Sequence, residues 1–174
     1  MNWTLLVDHL PALPEALLLV GACVLLIADL FVQDGRRRVS TWIAQAVLAL
    51  CAAATLFVLW GSSGGKLYLF NGLFVADAMA HVLKLFCYAA VSATLVYSRQ
   101  YLFARGLLRG EFITLMLFSL LGMMVMISAN SFLTLYLGLE LMSLCLYALV
   151  ALDRDSPLAT EAAMNSVTGV GAPW

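Results

Sequence analysis

Charged residues are scarce. Lys and Arg number 9 and Asp and Glu 10 in 174 residues, together 11% of the chain, against about 25% in a soluble domain. So few charges cannot clothe a water-facing surface of this size, which excludes an ordinary soluble fold and makes the bilayer the main solvent. The apolar share of 64% says the same. A net charge of −1 gives no basic face and excludes a nucleic-acid partner. Cysteine is sparse too. Cys23, Cys51, Cys87 and Cys145 stand singly in apolar runs. Without a CxxC pair or a Cys/His cluster, no iron–sulfur or zinc site is expected within this chain, and the thiols read as small packing residues. Residues 1–10 lack the basic start of a signal peptide and carry Asp8 instead. No internal repeat is visible.

What is abundant is the long apolar run. A spanning helix needs about 20 mostly apolar residues, and five stretches qualify: 13–32, 41–60, 73–98, 111–128 and 132–152. The expectation is an all-α membrane protein with one membrane domain over 1–155. Pro14 and Glu15 suit a helix start, where a missing N–H costs nothing and the dipole favours an acid. The glycine-rich stretch 61–65 stops the second run. Residues 129–131 allow only a tight turn, so the last two helices should pack antiparallel. The tail, 156–174, is too short for a sixth span and is broken by Gly169, Gly171 and Pro173. Arg36, Arg37, Arg38, Arg99, Arg105, Arg109 and Arg154 all fall on one side of this topology, and the opposite loops carry Lys66. The basic side is inside, which puts the amino terminus outside.

Ionisable groups at membrane depth carry the chemistry. Each costs about 2.5–3.5 kcal/mol at a helix centre on insertion scales. Glu140 sits mid-way along the fifth span, and Tyr136, Glu140, Ser143 and Tyr147 recur at i, i+4, i+7 and i+11 as one polar stripe. Desolvation favours a neutral acid and a nearby cation a carboxylate, so a group poised between the two can load and release a proton. The plainer reading is a glutamate that only bonds a neighbouring helix. Asp77, His81, Lys84 and Tyr88 repeat the spacing in the third span. Acid, imidazole and amine on one face can relay protons. Equally, Lys84 can snorkel or pair with an acid on another helix, His81 can be a structural hydrogen-bonder, and Asp77 can sit solvated at the outer end. Glu15 and Asp29, near opposite ends of the first span, are explained by interfacial placement. Met116, Met123, Met124 and Met126 are packing filler.

The phrase Leu133-Thr134-Leu135-Tyr136-Leu137-Gly138-Leu139-Glu140-Leu141-Met142-Ser143-Leu144 resembles the fifth helix of the antiporter-like subunits of bacterial complex I, the proton-translocating NADH–quinone oxidoreductase. Leu121-Gly122-Met123-Met124-Val125-Met126, Ser128-Ala129-Asn130, the stretch 77–84 and Leu13-Pro14-Glu15 fit as well. The resemblance covers residues 13–164 and is strongest over 111–163. It implies a partial antiporter-like fold of the inverted-repeat kind, in which Glu140 is a proton carrier partnered by a lysine on a later, broken helix. It implies the bacterial inner membrane, with other membrane subunits of the complex as partners. NADH, FMN, iron–sulfur clusters and quinone would belong to the whole complex, with none in this chain, a non-redox subunit of the translocase. Where the family continues into a lysine-bearing helix this chain has Asn165, so a truncation after Met164, inactive on its own, is expected. Related cation/proton antiporters and membrane hydrogenases share the glutamate, so Glu140 leaves those readings open, as it does a non-functional membrane fragment.

Overall fold

In the computed structural model, the described residues are 10–31, 37–61, 67–70, 72–104, 110–151 and 164. A short 3-10 turn, Leu10–Ala12, leads into α1, Leu13–Phe31. Pro14 and Glu15 lie in its first turn, where neither a lost N–H nor a negative charge is a penalty. Three further helices follow, α2 (Arg37–Gly61), α3 (Ala78–Ala104) and α4 (Gly110–Ile127), and then α5 (Phe132–Val150). Four helical stretches, Ser40–Gly61, Ala78–Ser98, Gly110–Ile127 and Phe132–Val150, are long and apolar enough to cross a membrane. α1 has 19 residues, or about 28 Å of helix against a hydrocarbon thickness of about 30 Å.

The third span departs from expectation. Residues from Leu73 onward do not all join the helix. A two-stranded antiparallel hairpin precedes it, β1 (Leu67–Leu69) against β2 (Phe74–Ala76), with Leu69 opposite Phe74. The fold is therefore helical with one hairpin. Gly72 at φ 83° and Phe70 at φ 52° turn the chain through the left-handed region, which a helix cannot continue through. The aromatic and β-branched pair Phe74-Val75 suits a strand. Asp77 ends it, its Oδ1 accepting the Ala78 N–H at 2.7 Å and its carbonyl accepting the His81 N–H at 3.1 Å. The outer edge of β2 is not left open. Val75 N–H donates to the Ser128 carbonyl at 2.9 Å and Asn130 N–H to the Leu73 carbonyl at 3.1 Å, so the α4–α5 turn is added to the hairpin as a third short edge. The Asn130 amide donates to the Gly72 carbonyl at 2.6 Å and the Thr134 hydroxyl to Leu73 at 3.2 Å.

The hairpin and the α4–α5 turn thus mark one end of the bundle. The other end is marked by Asp29 near the close of α1. Its carboxylate accepts from Ser40 Oγ of α2 at 3.0 Å and lies against Gly110, the first residue of α4. Arg36, Arg105, Arg109 and Arg154, Lys66 and most of the tail lie outside the described residues.

Residues at helical spacing build the core: Leu18, Ala22 and Leu25 of α1, Ala44, Leu48 and Cys51 of α2, Tyr88, Val91 and Leu95 of α3, Ile113, Leu117, Leu120 and Met124 of α4. α5 stands apart. It packs antiparallel on α4, with only 11% of its spanning window buried against 50% for α4, so it is an edge helix. Gly122 and Gly138 meet at the crossing. A Cβ at Gly122 would stand 2.8 Å from the Gly138 carbonyl oxygen and 2.9 Å from Met142 N, so the absence of both side chains lets the backbones touch. Ser131 starts α5 by accepting the Thr134 N–H at 3.2 Å.

Candidate functional site

Two polar tracks run through this apolar bundle, and they face different ways. The first lies among α1, α2 and α3. On α3 the i, i+4, i+7, i+11 spacing turns His81, Lys84 and Tyr88 inward, where they are 2%, 0% and 3% exposed. Lys84 forms an ion pair with Glu15 of α1, whose side chain is 12% exposed. Interfacial placement therefore does not describe Glu15. The first turn of α1 packs inside the bundle, and the only cation it meets there among the described residues is Lys84. Snorkelling is likewise excluded for Lys84, since its ammonium ends at a carboxylate within the protein. The same ammonium lies 5.1 Å from the ring centroid of Phe74 on β2, a cation–π contact.

Beyond that pair, the Glu15 oxygens, the Lys84 ammonium and His81 Nδ1 have no hydrogen-bond partner among the described residues. One turn further along α3, the Tyr88 hydroxyl meets Thr55 of α2 at 3.3 Å, and Thr55 donates to the Cys51 carbonyl at 2.8 Å. Cys51 Sγ in turn donates to the Pro14 carbonyl, next to Glu15, at 3.7 Å. Another turn on, Ser92 Oγ donates to Gln45 Oε1 at 2.7 Å, and Gln45 Nε2 donates to the Ser92 carbonyl at 3.1 Å. A groove of about 230 Å³ opens between these two helices beside Gln45, Ala52, Tyr88 and Ser92. Asp77 caps the hairpin end of this track, half-buried. The track was half visible from sequence. The α3 stripe gave one wall, but Gln45, Thr55 and Phe74 were missed, and Glu15 was assigned to the interface. The signal for Gln45 and Thr55 was their being isolated polar residues on an otherwise apolar helix.

The second track is the α5 stripe. Tyr136 is 56% exposed, Glu140 is exposed, and Ser143 and Tyr147 are half-buried. Ser143 spends its hydroxyl on the Leu139 carbonyl at 2.8 Å. The structure therefore does not bring Glu140 together with Lys84. α5 turns that carboxylate away from α4, onto a face no described residue covers. A carboxylate on an apolar face at membrane depth is tolerated where other protein or a water path covers it.

Residues 129–170 match the family model described as NADH:quinone oxidoreductase/Mrp antiporter, TM. The chain is also similar to curated proteins named NADH-quinone oxidoreductase subunit N. It is 52% identical to that of Nitrosomonas europaea over 92% of this chain and 33% of the relative. For Thiobacillus denitrificans the values are 53%, 95% and 34%, and for Neisseria gonorrhoeae 48%, 95% and 34%. The chain spans about a third of the length of these relatives.

Proposed function

We propose that this chain acts as part of a subunit N, in the membrane arm of an NADH–quinone oxidoreductase, and takes part in proton translocation coupled to NADH oxidation by quinone. The observation that carries the reading is identity near 50% along more than nine-tenths of the chain to proteins of that name. The family description also includes Mrp antiporters, and the identities favour the oxidoreductase subunit over that second reading. In this reading the NADH, FMN, iron–sulfur and quinone chemistry belongs to partner subunits. The chain sits in the bacterial inner membrane with its amino terminus outside, as the arginine distribution supports.

Glu140 is the proton carrier. Its exposed face on α5 is the surface that the rest of such a subunit would cover, and there a cation brought near favours the carboxylate while its withdrawal favours the acid. Asp77, His81 and Lys84 contribute from a separate track. The test uses the intact subunit in its complex. Glu140→Gln keeps shape but cannot titrate. In inverted membrane vesicles it should lower NADH-driven proton pumping at least as much as NADH oxidation, and Glu140→Asp should be milder. Pumping at the unmodified level in the Gln variant would make Glu140 structural. The chain alone, lacking a covering partner for Glu140 among its described residues, inserts in liposomes without translocating protons. A leak under an imposed potential that Glu140→Gln abolishes would refute that.

A further inference from the structure

Lys84 has two partners at one position. Its ammonium pairs with the Glu15 carboxylate on α1 and also lies 5.1 Å from the Phe74 ring on β2. His81, three residues back on the same face of α3, is 2% exposed with Nδ1 unpartnered. A charge pair inside an apolar bundle normally has its remaining donors and acceptors satisfied. Here an acid, an amine and an imidazole all keep theirs open. The Glu15 oxygens can accept a proton, and the ammonium has a π face and a neighbouring nitrogen lone pair to move to. The cluster is also close to one surface. His81 and Lys84 are four and seven residues past Asp77, or about 6 and 10 Å along the helix.

We propose that Glu15, Lys84 and His81 form a proton-binding site within α1–α3, separate from Glu140, in which Glu15 takes the proton when Lys84 swings from its carboxylate to the Phe74 ring and His81. In the unloaded state Glu15 is a carboxylate bound to the ammonium. A proton arriving as hydronium from the hairpin side forms an O–H bond on a Glu15 oxygen and leaves water behind. Lys84 keeps its own proton and charge, gives one N–H to the neutral His81 Nδ1, and rests on Phe74. No other bond breaks, and the site gains one positive charge, held by the ring and the imidazole. The ionisable groups around Glu15 are Lys84 and Tyr88 of α3 and Cys51 of α2, and His81 stands between Lys84 and Asp77 at the hairpin end. The buried residues of α4 bring none, and Glu140 is exposed on α5. The site deepens the translocation reading and rests on it for its purpose. The hairpin, which carries Phe74 and grips the α4–α5 turn, then links the seat of Lys84 to the helix that bears Glu140.

The 174-residue chain reconstituted in lipid nanodiscs tests this by infrared difference spectroscopy of the protonated-carboxyl C=O band as pH is lowered. A band should appear that Glu15→Gln removes and Glu140→Gln leaves. Phe74→Leu should move its midpoint about one pH unit lower, a tenfold weaker proton binding, because the displaced ammonium loses its ring. Lys84→Met should move that midpoint upward, because no ammonium then holds Glu15 as a carboxylate. A Glu15 band absent at every pH at which the chain keeps its helical circular dichroism, or a midpoint unmoved by Phe74→Leu, makes the pair a fixed clamp and overturns the proposal. Should Lys84→Met not fold, Phe74→Leu alone decides. The readout is a proton on one carboxyl group, whereas the translocation reading is tested by pumping in Glu140→Gln, so the two can fail separately.

Discussion

Lys84→Met tests the buried pair most directly, because methionine keeps the apolar stem and deletes the charge. Lys84 is 0% and Glu15 12% exposed, so neither charge is rehydrated when the other goes. Removing one partner of such a pair costs about 3–5 kcal/mol. Glu15→Gln strands the ammonium instead, and the Phe74 ring returns about 0.5–2 kcal/mol of it. The double variant Lys84→Met/Glu15→Gln removes both charges at similar volume and should lie within about 1 kcal/mol of the parent chain. Equilibrium unfolding in mixed micelles, followed by far-UV circular dichroism, measures all three. If the double variant is as unstable as the two single losses added, the pair contributes no coupling and its assignment as the central contact of α1 with α3 is wrong.

At the α4–α5 crossing, Gly122→Val puts a branched side chain where even a Cβ would meet the Gly138 carbonyl oxygen at 2.8 Å. It should cost about 1–3 kcal/mol by overpacking, seen as earlier loss of α5 protection in hydrogen exchange, while Glu15–Lys84 coupling is unchanged. Ser131→Ala removes the oxygen that accepts the Thr134 N–H and should lower stability by about 1 kcal/mol in the same micelle unfolding, the usual loss of an N-cap. For topology, a cysteine at Ser63 should react with a membrane-impermeant reagent added outside and one at Arg37 should not. The reverse pattern would invert the bundle.

The helices were legible because hydrophobic length is a local property, and the α4–α5 turn because three residues leave no alternative. The hairpin was not. Residues 73–76 are apolar enough to extend the third span, and what diverts them is a left-handed Gly72 together with edge bonding to Ser128 and Asn130, more than fifty residues away in sequence. The candidate site divides in the same way. Spacing alone put His81, Lys84 and Tyr88 on one face of α3, since that is set by the helix itself, whereas Asp77 stands just before its start. Spacing could not say which faces are covered. Glu15 looked interfacial because it opens a span, yet the 3-10 turn before it and the packing of α1 on α2 carry it inside. Glu140 looked central because it lies mid-helix, yet α5 packs chiefly on α4 among the described helices and presents its stripe on the open side.

That asymmetry divides the molecule energetically. Around α1–α3 the described acids have counterparts within the chain: Glu15 with Lys84, Asp29 with Ser40 and the start of α4, Asp77 with the start of α3. Those helices keep their described acids against partners inside the bundle. α5 does not, because it sets Glu140 and Tyr136 on an apolar face with no described partner, a costly arrangement for a helix that stays as it is. The Gly122–Gly138 contact keeps α5 pressed to α4 all the same, so the stripe is held in a fixed orientation before anything covers it. A covering surface that meets α5 would therefore find Glu140 already aimed, and the cost of orienting it would have been met by backbone packing rather than by the contact itself. The proton chemistry of Glu140 then depends on what docks against it, while that of Glu15 depends on groups already inside the bundle.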